Sequence, residues 1–505
     1  MYSLTLALIA WWIVFANGQS CDQRKYDQDS VVCVCNATYC DSFDPITPEA
    51  SGKYLIFTSD RDGRRFQKSV QNFSNPSNGS DSSWINRNVT YQGIVGFGGA
   101  FTDSTGININ SLDEKTKSNL ISAYFSKKGI EYNMGRVPIG GTDFSTHAYS
   151  YMDNQTVAYS NVSSTNFTLA PEDLQYKIPL IKNAQQVLGR KLKLFGSAWI
   201  APRAWKSNGQ YSGFGFLNRE HFQDWADYHI RFLQLYKEQG LDFWGITTGN
   251  EPNNYLVPFN KVPTVAFFFY DQQTWINNNF GPTLRNSSYS NVKLIGLDDN
   301  RIVLGFLDDQ LKSNVTRSFI DGIGIHWYTD FIPASVVTKF HNKYPNLFIF
   351  GSEACIQNML QEPVVLGSWG RGEQYANDII NDLQNWMGGW VDWNMALNVQ
   401  GGPTYINNFV DSPIIVNATA GEFYKQPTYY ALGHFSKFLP ENSVRVKIED
   451  LENLQVVAFQ RPDNATAVIV LNSNDDAREF KYFDNERGEI SFNCTPHSIS
   501  SILYW

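Results

Sequence analysis

The sequence predicts an α/β chain: a (β/α)8 TIM barrel with a flanking β-sandwich built from both chain ends. Three observations predict it. Eight short apolar runs alternate with longer amphipathic stretches between Ile94 and Asn394. Most of those runs end on polar residues. The segments on either side of this region read as strands alone, separated by turn signals.

The first element is a leader. Residues 4–15 form an apolar run of twelve, too short to span a bilayer and of the length of a signal-peptide core. Ala16, Asn17 and Gly18 follow as small residues suited to cleavage. Residues 1–18 are therefore read as a signal peptide. Residues 19–44 hold Cys21, Cys33, Cys35 and Cys40. Four cysteines in so short a stretch bind zinc or form two disulfides, and the paired Cys-x-x-Cys spacing of zinc sites is absent. Disulfides in an oxidising compartment are favoured, with Cys355 and Cys494 left free. Twelve Asn-x-Ser/Thr sequons, among them Asn36, Asn72, Asn88, Asn286, Asn417 and Asn464, suggest glycosylation on the secretory route.

Residues 45–92 carry strand-like runs at 54–59 and 82–91, and 72–83 reads as a loose loop. The barrel is assigned to 93–439. Its eight runs are 94–101, 132–139, 192–199, 243–251, 292–299, 320–327, 347–354 and 388–396. Helical spacing appears at 112–128, 173–188, 221–239 and 375–386. A doubly wound sheet is the alternative. It would concentrate chemistry on one or two strands, whereas polar residues end most of these runs. Runs at 444–448, 454–461, 465–472 and 499–505 complete the sandwich, assigned to 45–92 and 440–505.

Composition narrows the function. A net charge of −9 argues against nucleic acid, which needs a basic surface. Aromatic residues make up 15% of the chain, supplying large cores and faces on which sugar rings stack. Past the leader, no segment is long and apolar enough to span a membrane. No Gly-x-Ser-x-Gly elbow or His-Glu-x-x-His motif occurs, and the seven histidines are scattered. No metal or cofactor is expected. The glycines at 96–99 are read as close packing at the end of the first strand.

Two carboxylates stand out. Glu251 ends the fourth run, before Pro252, and Glu353 ends the seventh. In a barrel both enter one cup, where each raises the other's pKa. Glycoside hydrolysis uses such a pair: one acid protonates the leaving oxygen and the other carboxylate attacks or activates water. Arg136 and Tyr328 are placed to hold Glu353 ionised. Asn250 and Asp143 are placed to meet sugar hydroxyls, and His326 ends the sixth run. Trp199, Trp327 and Trp393 are read together as aromatic faces on one rim, with barrel packing as the alternative for each. Glu353 should then govern the acid limb of a bell-shaped pH profile and Glu251, raised by its neighbour, the alkaline limb.

Several long segments carry a resemblance. Residues 30–44, Gly96–Ala100, Arg136-Val137-Pro138, His326-Trp327-Tyr328, Ser352-Glu353-Ala354-Cys355 and 366–369 are similar to the acid β-glucosidase (glucosylceramidase) family. So are Asp392-Trp393-Asn394, 408–416, 423–427 and 433–438, so the likeness runs from about Cys21 to the C-terminus. The resemblance implies disulfides Cys21–Cys33 and Cys35–Cys40, Glu251 as acid/base and Glu353 as nucleophile. It puts glucose contacts on Asp143, Trp199, Asn250, Trp393 and Asn408. It also implies glucosylceramide cleaved to glucose and ceramide at acidic pH, at a membrane surface in the lysosome lumen or after secretion. A saposin-type activator and anionic lipid would assist. The chain departs from the family pattern at Thr142, Ala198, Gly249 and the loop 253–269, which bears on fine specificity. A β-xylosidase or β-glucanase of the same broad family, and a catalytically silent sugar- or lipid-binding protein, are the competing readings.

Overall fold

The computed structural model describes residues 18–75, 83–153, 162, 167–256, 260–268, 270–356 and 362–505. Nearly all of the leader and most of the loop 72–83 lie outside the described residues.

All eight apolar runs form strands: β1 (Gly96–Ala100), β2 (Met134–Ile139), β3 (Lys193–Ala198), β4 (Phe243–Thr247), β5 (Lys293–Asn300), β6 (Gly322–His326), β7 (Phe348–Glu353) and β8 (Gly389–Asn394). Each pairs in parallel with its sequence neighbour, and β8 pairs with β1, closing the barrel. Met134, Phe195, Ile295, Phe350 and Val391 pack together at its centre. The glycines of β1 serve close packing, as expected: a Cβ on Gly98 would lie 2.1 Å from the Met134 carbonyl oxygen of β2.

The helices follow the apolar periodicity and local capping. Glu114–Phe125 starts where the Asp113 side chain accepts from the amides of Lys115 and Thr116. Ile178–Leu188 ends at Gly189, whose φ of 75° suits glycine. Trp369–Gln384 begins six residues before the expected start at 375 and buries Trp369, Tyr375, Ile379 and Leu383.

The chain ends meet in a nine-stranded sheet ordered Gly488–Cys494, Arg478–Asp484, Ser83–Gly93, Val444–Ile448, Gln455–Gln460, Thr466–Asn472, Ser498–Tyr504, Lys53–Asp60 and Gln67–Asn72. Strand periodicity divides its apolar residues between two cores. Val456, Val468 and Val470 face Tyr54, Phe480 and Tyr482. Their neighbours Val457, Ile469 and Leu471 join the barrel's main core. Burial on both faces explains why these strands read as continuous apolar runs. The strands at 67–72, 478–484 and 488–494 were not foreseen. Their polar content gives little periodic signal: all six residues of Gln67–Asn72 are exposed.

The N-terminal cysteines form the disulfides Cys21–Cys33 and Cys35–Cys40, and Cys355 and Cys494 are free and buried. Gln23–Lys25 and Val31–Cys35 join a five-stranded sheet with Glu422–Lys425, Ile414–Asn417 and Ala396–Asn398. The N-terminal piece is thereby hydrogen-bonded to chain from the far end of the barrel region.

Candidate active site

β4 and β7 bring Glu251 and Glu353 into the same cup. A carboxylate oxygen of each, and a ring nitrogen of His326, all lie within 4.8 Å of one another. Both glutamates are buried, at 8% and 6% exposure.

Arg136, at β2, is the hub. Its guanidinium donates from Nη1 to Glu353 Oε2, and from Nη2 to Asp298 Oδ2 and Asn250 Oδ1, the latter two at 2.8 Å. The second oxygen of Glu353 accepts from the Tyr328 hydroxyl at 2.8 Å. Two charge-assisted partners thus fix the plane of the carboxylate. The Arg136 guanidinium carbon sits 4.5 Å from the Trp199 ring centroid, and Trp199 stacks on Trp393 at 4.9 Å and 20°. Asp143 accepts from Asn408 Nδ2 at 2.9 Å. All but one of the residues expected at the site are therefore gathered around one cup.

Trp327 is not. Its indole Nε1 donates to the Cys355 carbonyl at 2.8 Å, and its ring packs edge-on against Tyr375 and Trp390. Successive residues turn to opposite sides, so His326 and Tyr328 face the cup while Trp327 faces the helix layer.

Glu251 adopts φ of +41°, a left-handed conformation costly for a residue with a Cβ. Gly249, at φ of +116°, is in the region reserved for glycine. The side chain of Glu251 is held by His326 Nδ1 and Asn300 Nδ2, both 2.9 Å from Oε1, and by Asn254 Nδ2 on Oε2. His326 Nε2 meets Asp298 Oδ1 at 3.1 Å. Both ring nitrogens are therefore committed to carboxylates. That suits proton sharing and leaves no lone pair for a metal.

The electrostatics of the cup reverse the expected order of the two acids. Burial pushes Glu353 above the ordinary carboxylate range; His326 and Arg136 oppose this, and the charge of Glu251 adds to it. Burial also pushes Glu251 up, but the hydrogen bond and charge of His326, with Asn254 and Arg136, bring it below its ordinary value. His326 is the residue whose weight sequence reading underestimated. Burial disfavours its charge, yet Glu353, Asp298 and Glu251 outweigh that and raise it to about 10. The 2.9 Å hydrogen bond between His326 Nδ1 and Glu251 Oε1 is a path along which a proton can pass between the two groups. Burial pushes Asp143 up to about 7, with Asn408 opposing. Asp299 rises to about 7 through burial and the charge of Glu251.

Sequence reasoning missed Asp298, Asp299 and Asn300, which end β5. Asp298 receives Arg136, His326, Ser197 and Ser352 and stays ionised well below the usual range despite its burial. Consecutive acids closing an apolar run were the available signal.

A model of the glycosyl hydrolase family 30 TIM-barrel domain matches residues 94–439, and one of the family 30 beta sandwich domain matches 442–502. Putative glucosylceramidase 4 of Caenorhabditis elegans is 40% identical over 506 residues, covering 97% of this chain and 96% of that protein. Lysosomal acid glucosylceramidase of Mus musculus is 40% identical over 497 residues, covering 96% of each. The crystal structure of SrfJ from Salmonella typhimurium matches with a TM-score of 0.82 at 26% identity, covering 90% of this chain and 99% of that one.

Proposed function

This chain belongs to glycosyl hydrolase family 30, and on that premise we propose that it is a retaining β-glucosidase cleaving glucosylceramide to glucose and ceramide at acidic pH. The observation that carries the chemistry is the approach of Glu251 and Glu353 oxygens to within 4.8 Å. Retaining enzymes hold their carboxyl groups about 5 Å apart, and inverting enzymes leave a wider gap for water.

In this reading Glu353 attacks the anomeric carbon while Glu251, fed by the proton it shares with His326, protonates the leaving oxygen. The C–O bond to the aglycone breaks and a glucosyl ester forms on Glu353. Glu251 then takes a proton from water, which cleaves the ester and regenerates both groups. Arg136 and Tyr328 orient the nucleophile. Trp199 and Trp393 supply the sugar's apolar floor, and Asp143, Asn250 and Asn408 meet its hydroxyls.

The lipid substrate rests on the glucosylceramidase names of the relatives. Exposed rings on the strand-to-helix side of the barrel support work at a membrane surface. Phe214 follows β3, Phe331 follows β6 and Phe409 follows β8; Phe214 and Phe331 are 71% and 75% exposed. No helix among the described residues is long and apolar enough to cross a membrane. A lysosomal lumen location, a saposin-type activator and anionic lipid belong to the same proposal. Glucosylceramide in anionic vesicles should be hydrolysed far better than xylo-oligosaccharides. A preference for the soluble glycans would overturn the substrate assignment.

Tyr328→Phe tests the support of the nucleophile. The phenol donates to ionised Glu353 and opposes the upward push of burial. Without it the Glu353 pKa rises further, so the ionised form is lost at a higher pH on the way down. The acid limb of kcat/KM should move to higher pH, with about tenfold lost at the acid end. An unmoved acid limb would show that Tyr328 does not support Glu353.

A further inference from the structure

Lys206 lies in the loop after β3 and is 3% exposed. Its ammonium donates to two backbone carbonyls, Thr264 at 2.7 Å and Tyr211 at 3.1 Å. No carboxylate among the described residues pairs with it, and burial alone pushes it down to about 8. An ammonium buried against carbonyls only is expensive, and its acceptors lie on two different active-site loops. Tyr211 follows β3, and Thr264 follows β4, the strand that leads into Glu251.

Thr264 connects the two loops to Glu251. Its amide donates to the Tyr211 carbonyl at 3.1 Å, and its hydroxyl donates to the Glu251 carbonyl at 3.0 Å. On the other side, the Glu251 amide donates to the Asp298 carbonyl at 2.9 Å. The left-handed backbone of Glu251 is thus clamped from both sides, and one clamp leads through Thr264 to Lys206.

We propose that Lys206 is a positioning residue for the acid/base: by tying the loops after β3 and β4 together at Tyr211 and Thr264, it holds the Glu251 backbone in the conformation that aims the carboxyl at the leaving oxygen. This rests on the reading of Glu251 as acid/base. Lys206 acts through Thr264 and has no contact with the reacting atoms. Loss of its donors frees the Thr264 carbonyl, loosens the hydroxyl on Glu251 and lets the backbone relax. A misaimed acid matters where the leaving group needs a proton and is of little consequence where it does not. General damage to the fold would depress both cases alike.

The test compares kcat/KM, which reports bond cleavage, on an alkyl β-glucoside and on 2,4-dinitrophenyl β-glucoside. Lys206→Met should lose about tenfold or more on the alkyl glucoside and less than about twofold on the dinitrophenyl glucoside. Lys206→Arg, which retains donors, should recover most of the loss. Equal losses on both substrates, or none, would overturn the proposal. Should Lys206→Met fail to fold, Thr264→Val removes only the hydroxyl on Glu251 and should give the same split; an even loss there overturns the proposal equally. Glu251→Gln, measured in parallel, separates the two readings. A split in Glu251→Gln but not in Lys206→Met overturns Lys206 alone, whereas no split in Glu251→Gln overturns the acid/base assignment beneath it.

Discussion

Glu353→Gln is expected to abolish turnover of every glucoside, activated or not, by about four orders of magnitude or more. A carboxamide is no nucleophile toward the anomeric carbon, and the neighbouring carboxylates Glu251 and Asp298 are engaged by other partners. Glu251 is tied to His326, Asn300 and Asn254, and Asp298 is occupied by Arg136, His326, Ser197 and Ser352. Steady-state rates on an aryl glucoside and on glucosylceramide check this, with circular dichroism to establish that the variant is folded. A variant retaining within about a hundredfold of native rate on either substrate would remove Glu353 from the nucleophile's role.

Glu251→Gln should divide substrates by leaving group. Cleavage of an alkyl glucoside or glucosylceramide needs the proton and should fall by about 10²–10⁴-fold in kcat/KM. Cleavage of 2,4-dinitrophenyl β-glucoside needs none and should fall little. The pH dependence carries a second signature. On the proposed mechanism the transferable proton passes between Glu251 and His326, hydrogen-bonded at 2.9 Å, so the alkaline limb belongs to that pair. As pH rises the pair gives up the proton, and activity that depends on it is lost. With Gln at 251 no proton can be delivered, so on the activated glucoside the alkaline limb should flatten while the acid limb, set by Glu353, stays. An alkaline limb unchanged in that variant would mean that another group supplies the proton.

The barrel was legible because each strand is a short apolar run closing on polar residues, and closure into eight makes those ends converge. The same logic found Arg136, Glu251, His326 and Glu353, each at or just beyond the end of its own strand. It failed where a side chain's direction, rather than its position, decides its role. Trp327 was grouped with Trp199 and Trp393, yet one residue's rotation turns it onto Tyr375 and Trp390. Asp298 was passed over because β5 carries no aromatic or motif to mark it, although it anchors both Arg136 and His326. The balance between the carboxyls of Glu251 and Glu353 differs from the expectation for a related reason. Spacing along the chain shows that they share a cup, but not which of them receives the imidazole. Lys206 and Thr264 were invisible, since their link to Glu251 runs through backbone carbonyls that any residue type offers.

The proposed chemistry turns on Glu353 becoming covalently glucosylated. The most direct measurement is incubation of the native enzyme with 2-deoxy-2-fluoro-β-glucosyl fluoride, which forms the ester quickly and releases it slowly, followed by proteolysis and mass spectrometry of the peptides. The predicted result is one added fluoroglucosyl group per chain, carried by the peptide containing Glu353 and located on that residue by fragmentation. A label on any other residue, or no covalent species under conditions that support turnover, would contradict it.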